Sequence, residues 1–409
     1  MKACVFTIGC KQNEAESASI LRGLEERGFE ATDTLGYADL YLLNTCAVTA
    51  EAERKSRQAI GRMRKYNPNA PVVVFGCAAQ NAPENFSARE GVVFVAGAMR
   101  KDKILEYIDG ICGEKLSCEE ENSFCELPMP KRVRTRAYLR VQDGCNNFCS
   151  YCLIPYLRGR SRSRSAERVL EEATNCGAKE IVLTGIDLSS YRDGTLGLGG
   201  LLLRLKDVPA RIRLGSLEAG VITEEFLEDM KGAGNVMPHF HLSLQSGSTK
   251  VLRAMNRHYT REEYLAACNK IYEAFPDAAI TTDIIVGFPT ETEEDFEESM
   301  SLAREVGFAR VHAFPFSSRK GTNAAKLPDL SADIKRARMA RMTALEAELE
   351  RAYISRYIGR ELVALFEGDG GYTENYIRVF FSGAEEGELC RVRLLEPVEG
   401  GAIAIKIKE

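Results

Sequence analysis

Three cysteines carry the sharpest chemical signal in this sequence. Cys145, Cys149 and Cys152 are spaced C-x3-C-x2-C within Gly144-Cys145-Asn146-Asn147-Phe148-Cys149-Ser150-Tyr151-Cys152. Each iron of a [4Fe–4S] cube takes one thiolate, so three thiolates hold three irons and leave the fourth open. S-adenosylmethionine (SAM) can chelate such an iron through its amino and carboxylate groups. Reduction of the cluster then cleaves the sulfonium and leaves a 5′-deoxyadenosyl radical. The competing reading is structural zinc, which wants a closed four-ligand site. No fourth ligand lies nearby in sequence, and His239, His241 and His258 are remote.

A second trio is less obvious. Cys10, Cys46 and Cys77 sit in Ile8-Gly9-Cys10, Asn44-Thr45-Cys46 and Phe75-Gly76-Cys77. Each alone reads as a small buried hydrophobe. Together they share a placement, because each follows a predicted parallel strand. The carboxyl ends of such strands lie on one edge, where ligand sites form. The three are therefore expected to converge on a second three-thiolate cluster. Cys4, Cys112, Cys118, Cys125, Cys176, Cys268 and Cys390 are read as packing residues.

The elements that must position these groups fall into three blocks. Residues 1–112 alternate strand (Cys4–Gly9, Leu40–Asn44, Val72–Gly76) and helix (Glu14–Arg27, Glu51–Tyr66), as in an open parallel α/β sheet. Residues 113–130, with Glu119, Glu120, Glu121, Pro128 and Pro130, lose periodicity and read as a linker. Residues 131–348 contain six βα units, the pattern of a partial TIM-type barrel with its chemistry at the carboxyl ends of the strands. The strands are expected at Ala137–Gln142, Glu180–Leu183, Arg211–Leu214, His239–Leu244, Ile280–Val286 and Arg310–Phe314. Their helices include Ser165–Cys176, Thr223–Met230, Arg261–Glu273 and Glu293–Val306. Ser331–Tyr357 reads as one long helix. Residues 349–409 then carry short strands (Leu362–Phe366, Tyr376–Phe381, Cys390–Leu394, Ala402–Ile407) punctuated by glycine, a small all-β barrel. The fold class is α/β with this terminal β barrel.

This layout places Tyr151 beside a ligand cysteine and Gly185, Gln245 and Gly287 at strand ends, so all four are candidate SAM contacts. Arg158, Arg160, Arg162 and Arg164 alternate and are expected to share one face of an extended segment, where they would hold RNA phosphates. Tyr372, Tyr376, Arg378, Phe380, Arg391 and Arg393 offer stacking and phosphate groups in the terminal barrel.

Composition narrows the setting. The 409 residues are 45% hydrophobic and 28% charged with a formal net charge of −5, so whole-chain charge gives no footprint for a nucleic acid and any RNA surface must be local. The N-terminal apolar run is too short for a signal peptide, and no window approaches a membrane span. A cytoplasmic chain is expected. There, thirteen cysteines point to metal or redox chemistry rather than disulfides.

Taken together, several motifs resemble the radical SAM methylthiotransferase family. They are Thr7-Ile8-Gly9-Cys10-Lys11-Gln12-Asn13, Leu43-Asn44-Thr45-Cys46, Gly76-Cys77, the Cys145–Cys152 segment, Gly159-Arg160-Ser161-Arg162-Ser163-Arg164, Leu244-Gln245-Ser246-Gly247-Ser248 and Asp283-Ile284-Ile285-Val286-Gly287-Phe288-Pro289-Thr290-Glu291-Thr292. The resemblance covers essentially the whole chain. It implies an N-terminal auxiliary-cluster domain, a partial radical SAM barrel and a C-terminal TRAM domain. It also implies two [4Fe–4S] clusters, SAM as both methyl donor and radical source, tRNA as substrate through its anticodon loop, an external electron donor and a monomer.

Within the family, Cys10-Lys11-Gln12-Asn13, Thr184-Gly185-Ile186-Asp187 and Val311-His312-Ala313-Phe314-Pro315-Phe316-Ser317 are similar to the branch acting on N6-threonylcarbamoyladenosine at tRNA position 37 (MtaB). Gln12, Asp187 and Thr290 depart from the usual valine, histidine and glycine. The isopentenyladenosine branch favours C-Q-M-N, and the branch acting on a ribosomal-protein aspartate favours C-P-K-N. Outside the family, a two-cluster electron carrier or redox sensor is the alternative; it would need neither a barrel nor an open iron.

Overall fold

A computed structural model of the chain describes residues 1–110, 116–118, 123–130 and 135–407. The N-terminal sheet contains β1 (Lys2–Thr7), β2 (Glu30–Thr32), β3 (Leu40–Thr45), β4 (Val72–Gly76), β5 (Val92–Ala96) and β6 (Leu116–Ser117), in the order β2-β1-β3-β4-β5-β6. Its pairings are parallel. The central strand β4 is buried along its whole length, which explains its unbroken Val-Val-Val-Phe run. Helix α1 (Lys11–Glu25) starts immediately after Cys10 rather than at Glu14. Helices α2 (Ala50–Tyr66) and α3 (Cys77–Asn81) follow β3 and β4. The expected linker departs from its sequence reading, since β6 pairs with β5 and extends this sheet. Cys112 lies outside the described residues, as do Glu119, Glu120 and Glu121.

The middle block is a parallel, open half-barrel. Its strands are β7 (Arg136–Arg140), β10 (Glu180–Thr184), β11 (Arg211–Leu214) continued by β12 (Ser216–Leu217), β13 (His239–Leu242), β14 (Ala279–Val286) and β15 (Arg310–Pro315). The run β7-β10-β11 and the run β12-β13-β14-β15 meet at Gly215, between β11 and β12. A short antiparallel pair, β8 (Gln142–Asp143) with β9 (Arg162–Ser163), extends from the end of β7. Residues facing the helices (Leu139, Ile181, Leu183, Ile212, Phe240, Ile280, Ile284) form the main core. Alternate residues face the lumen and are strongly polar. Helices Arg261–Ala274 and Glu293–Val306 begin with capping boxes, Thr260 with Glu263 and Thr292 with Asp295.

The C-terminal strands β16 (Glu361–Glu367), β17 (Gly370–Thr373), β18 (Arg378–Phe380), β19 (Leu389–Val398) and β20 (Gly401–Lys406) close into a barrel, ordered β16-β17-β18-β20-β19. Strand β17 is invisible to a glycine-as-turn reading. A Cβ on Gly370 or Gly371 would come 2.2 Å from a carbonyl oxygen of a neighbouring strand, so glycine here marks tight barrel closure. A boundary at 348/349 would cut the continuous helix Ala332–Ser355. That helix is shared: Met342, Leu345 and Leu349 join the half-barrel core, whereas Tyr353 and Ile354 join the terminal barrel's core.

Candidate active site between the N-terminal sheet and the half-barrel

The Cys145–Cys152 loop leaves the end of β8 through Gly144. Its φ is 71°, and a Cβ there would lie 2.0 Å from the Arg160 carbonyl oxygen. The loop is held by backbone bonds from Cys145 N to Gly159 O and from Ser150 N to Met255 O. Asn256 adds side-chain bonds to the Asn147 and Phe148 carbonyls. All three sulfurs face N–H donors: Asn147 N at 3.4 Å from Cys145 Sγ, Ile154 N at 3.4 Å from Cys152 Sγ and the Arg257 guanidinium at 3.4 Å from Cys149 Sγ. The thiols line a cavity of about 210 Å³ together with Tyr151, Asp187, Glu218, Gln245 and Arg257.

Tyr151 and Gln245 thus stand where the sequence places them. Gly185 is one step removed, since Ile186 and Asp187 provide the wall beside it. Gly287 is not among the lining residues. Its left-handed turn (φ 75°) makes room for the Lys335 side chain, which a Cβ would approach to 2.7 Å. The sequence reading missed Glu218 and Arg257, which pair at 2.9 Å. No spacing signal ties them to the cysteines, because they lie after other strands. His239 and His241 face the lumen and bond to Thr281 rather than completing a zinc site.

Cys10, Cys46 and Cys77 end three consecutive strands of the sheet, β1, β3 and β4. Gly76 has φ 102°, and a Cβ there would sit 2.6 Å from the Thr45 carbonyl oxygen, so only glycine brings Cys77 beside Cys46. Cys10 retains accessible surface yet is surrounded by protein, and burial raises its thiol pKa. The three thiols lie within electrostatic reach of one another, and Cys77 is within reach of Cys152. The two trios therefore occupy one interface. Leu153 and Leu157, which follow Cys152, pack into the N-terminal core beside Cys77, Ala78 and Ala79.

Arg158 bridges the two blocks. It is fully buried and donates to Glu16 Oε1 (2.8 Å), Asp143 Oδ1 (3.0 Å), Asn13 Oδ1 (3.0 Å) and Cys77 Sγ (3.2 Å). Lys101 and Arg140 add ion pairs to Glu16, and Arg162 adds one to Asp143. Burial alone would raise the Asp143 carboxyl; Arg158 and Arg162 hold it down to about 2. Four cations thus surround two carboxylates next to Cys77. Excess buried positive charge is costly unless balanced.

This charge distribution tests whether a cluster fits. Three thiolates on a [4Fe–4S] core carry the negative charge that the surplus demands. Among the described residues, no three His, Cys, Asp or Glu side chains are close enough to share one metal ion. Thiols within electrostatic reach of one another, yet not close enough to share one ion, suit the separate corners of a cube instead. The donor sets fit the group at both sites. Burial pushes the Cys145, Cys152 and Cys46 thiols up to about 12, so binding iron must displace protons. Metal-free protein should therefore alkylate at Cys145 and Cys152 about a hundredfold more slowly at pH 8 than unfolded chain does. Peptide mapping after timed iodoacetamide exposure reads this out, and equal rates would contradict the burial.

The basic segment differs from its sequence reading. Arg158 caps the short helix Ile154–Leu157, so the four arginines do not share an extended face. Arg158, Arg162 and Arg164 are buried in ion pairs, Arg164 with Glu126 and Glu172. They do not present themselves to phosphates. Arg160 alone is exposed, stacked over Phe148 at 4.5 Å. In the terminal barrel, Tyr376 stacks on His239 and Tyr372 on Tyr376, so both rings are committed to the lumen floor. Arg378 lies over Phe380 and pairs with Asp369, and Arg391 and Arg393 remain exposed beside Glu361.

An open parallel half-barrel carrying a three-cysteine loop at the carboxyl end of its first strand defines a radical SAM enzyme. Residues 139–303 match the radical SAM superfamily, and residues 2–97 match uncharacterized protein family UPF0004. Among solved structures, the radical SAM methyltransferase TsrM from Kitasatospora setae shares the fold (TM-score 0.54, 17% identity, 77% of this chain and 74% of that one). The cobalamin-dependent radical enzyme OxsB does so at TM-score 0.53 and 12% identity, over 92% of this chain and 63% of that one.

Curated relatives are closer in sequence. The threonylcarbamoyladenosine tRNA methylthiotransferase MtaB of Bacillus subtilis is 39% identical over 95% of this chain and 93% of its own length. The MtaB of Aquifex aeolicus is 38% identical over 96% and 100%. A tRNA-2-methylthio-N(6)-dimethylallyladenosine synthase from Staphylococcus haemolyticus is 35% identical over 96% and 82%. The chain belongs to the radical SAM methylthiotransferase family. Membership brings SAM and a [4Fe–4S] cluster with it. No helix among the described residues is long and apolar enough to cross a membrane.

Proposed function

We propose that this chain methylthiolates C2 of N6-threonylcarbamoyladenosine at position 37 of tRNA, with two [4Fe–4S] clusters. The observation that carries this reading is the meeting of two three-thiol sets across one interface, with the Arg158 network between them. Replacing an unactivated C2–H by sulfur is beyond side-chain acids and bases, so a cofactor must supply the reactive species. Cys145, Cys149 and Cys152 would hold a [4Fe–4S] cluster at which SAM would supply a radical, Cys10, Cys46 and Cys77 would hold a second cluster that would supply the sulfur chemistry, and SAM would also supply the methyl group.

The chain's own groups then have defined tasks. Arg257 presents a guanidinium, and Glu218 and Asp187 present carboxylates, around the cavity that would receive the charged end of SAM. Tyr151 and Gln245 wall that cavity. Arg160, Arg391 and Arg393 are the exposed candidates for tRNA phosphates. An external donor supplies electrons, and the three domains in one chain suffice for a monomer working in the cytoplasm.

Nucleoside mass spectrometry of tRNA from a strain lacking the gene should show loss of 2-methylthio-N6-threonylcarbamoyladenosine and accumulation of its unthiolated form. An unchanged level rejects the substrate. Anaerobic incubation with SAM and dithionite should yield 5′-deoxyadenosine, which a mere electron carrier cannot make.

A further inference from the structure

Interiors of TIM-type barrels are ordinarily filled by branched aliphatic side chains. This half-barrel is filled differently. At the bottom, Glu180 is buried among Arg136, Arg211 and Arg213, which hold its carboxyl down to about 2 against the effect of burial. Arg211 and Arg213 also donate to backbone carbonyls of the terminal barrel, at Tyr372, Thr373 and Glu374. These ion pairs and carbonyl contacts plug the floor, although Arg136 Nη2, Arg211 Nε and Arg213 Nε are buried there with no hydrogen-bond partner among the described residues.

The layer above carries His241, Asp283 and His312 in place of the arginines. His241 Nε2 lies 3.3 Å from Asp283 Oδ2, and its Nδ1 lies 2.9 Å from Thr281 Oγ1. His312 is opposite Asp283 in the β14–β15 register, with its ring centroid 5.9 Å from that of His241. Burial and the neighbouring Lys11, His241 and Arg310 lower its pKa to about 4, so it is a neutral hydrogen-bonding ring. Into this layer comes a cation from the other domain. Lys11 is the first residue of α1 and the neighbour of Cys10; the next residue, Gln12, donates from Nε2 to the Gln142 carbonyl of β8 at 3.4 Å, which brings Lys11 to the half-barrel, within electrostatic reach of Arg213, Asp283 and His312. It keeps accessible surface and forms no ion pair among the described residues. Glu14, Glu180 and Asp283 offset part of the repulsion from Arg136 and Arg213, but burial and the two guanidiniums outweigh them, so a further anion is favoured beside this ammonium.

The position relates this layer to the reaction. His241 is on β13, and Ser243 and Gln245, in the segment that follows this strand, line the cavity of the Cys145 trio. At ~3.3 Å per residue of extended chain, His241 and Gln245 are at most about 13 Å apart. Adenine carries C2 and N6 on the same Watson–Crick edge. A base that turns C2 towards the interface of the two trios therefore sends its N6 substituent along the adjacent lumen wall.

We propose that Lys11, with His241, Asp283 and His312, forms a pocket for an anionic, hydroxyl-bearing acyl arm on N6 of the target adenine. The Lys11 ammonium takes the arm's carboxylate, with Arg213 adding positive potential from below. His312 and the His241–Asp283 pair take its hydroxyl and urea groups. An apolar isoprenoid arm would desolvate Lys11 and the His312 ring while offering neither a polar partner, so the pocket rejects it. This rests on the adenosine reading above and names the residues that choose the arm.

The test uses reconstituted holoenzyme and anticodon stem-loop RNAs bearing at position 37 adenosine, N6-threonylcarbamoyladenosine, its methyl ester or N6-dimethylallyladenosine. Wild-type protein should prefer the free acid over plain adenosine, and esterification should cut that preference about tenfold or more, the loss expected for a charge-assisted bond. Lys11→Met should lower the acid-to-adenosine affinity ratio by a similar factor, and Lys11→Arg should restore most of it. The ester arm tests the same contact without altering the protein. If wild-type enzyme thiolates the acid RNA but neither Lys11→Met nor the ester changes the ratio, the pocket is refuted and the substrate stands. If wild-type enzyme does not thiolate the acid RNA, the substrate reading falls and the pocket with it.

Discussion

Cys145→Ala should abolish 5′-deoxyadenosine formation from SAM, whereas Cys77→Ala should continue to form it and yet attach no sulfur to tRNA. The asymmetry follows from the two thiol sets. Cys145 belongs to the trio lining the cavity with Arg257 and Glu218, where loss of one thiolate deprives an iron of its only protein ligand. Cys77 belongs to the sheet-edge trio, whose chain supports lie in β1, β3 and β4. Its removal leaves the Cys145 loop's own bonds to Gly159 and Met255 in place. Chromatography of the SAM products and mass spectrometry of digested tRNA read the two activities separately. Normal thiolation by Cys77→Ala would remove the second cluster assignment. Loss of both activities in Cys77→Ala would mean that the trios do not act independently.

Arg158→Met should be the most damaging substitution outside the cysteines. The side chain is fully buried and bonds to Glu16, Asp143, Asn13 and Cys77 at once. Removing one partner of a buried ion pair costs about 3–5 kcal/mol. Lys101 and Arg140 still face Glu16 and Arg162 still faces Asp143, so the low end of that range is expected. Anaerobic thermal or urea denaturation measures it, and a loss under about 1 kcal/mol would show that the bridge is dispensable.

The acid limb gives a second reading of the same contact. Asp143 has a folded value of about 2 against an ordinary 3.8, so its stabilisation is complete above about 4 and disappears as pH falls through 2. Without Arg158 that value rises, and the depressed-carboxylate contribution shrinks. Iron content should also fall towards that of a single cluster, because Cys77 loses its guanidinium and the interface loosens.

Much of this site was legible in the chain alone, for a physical reason. Cys145, Cys149 and Cys152 sit in one short loop, so their spacing alone implies that they line one cavity. Cys10, Cys46 and Cys77 are far apart in sequence, but parallel strands place their carboxyl ends on one edge, so three strand-end cysteines already imply a meeting. The strand β4 and the six half-barrel strands followed from apolar runs and βα alternation. Where the reading stopped, the missing information was tertiary.

Alternation of Arg158, Arg160, Arg162 and Arg164 carries no sign of which guanidinium meets a buried carboxylate. Glu16 and Asp143, which claim Arg158, lie 142 and 15 residues away. Arg257 and Glu218 enter the cavity from the ends of other strands, and Gly287 proves to accommodate Lys335 rather than to open a wall. Thus residue chemistry and parallel-strand topology determine which thiols converge. Packing between domains decides which charges are buried, that Arg158 joins the trios, and that Lys11 of the N-terminal domain comes within electrostatic reach of Asp283 and His312.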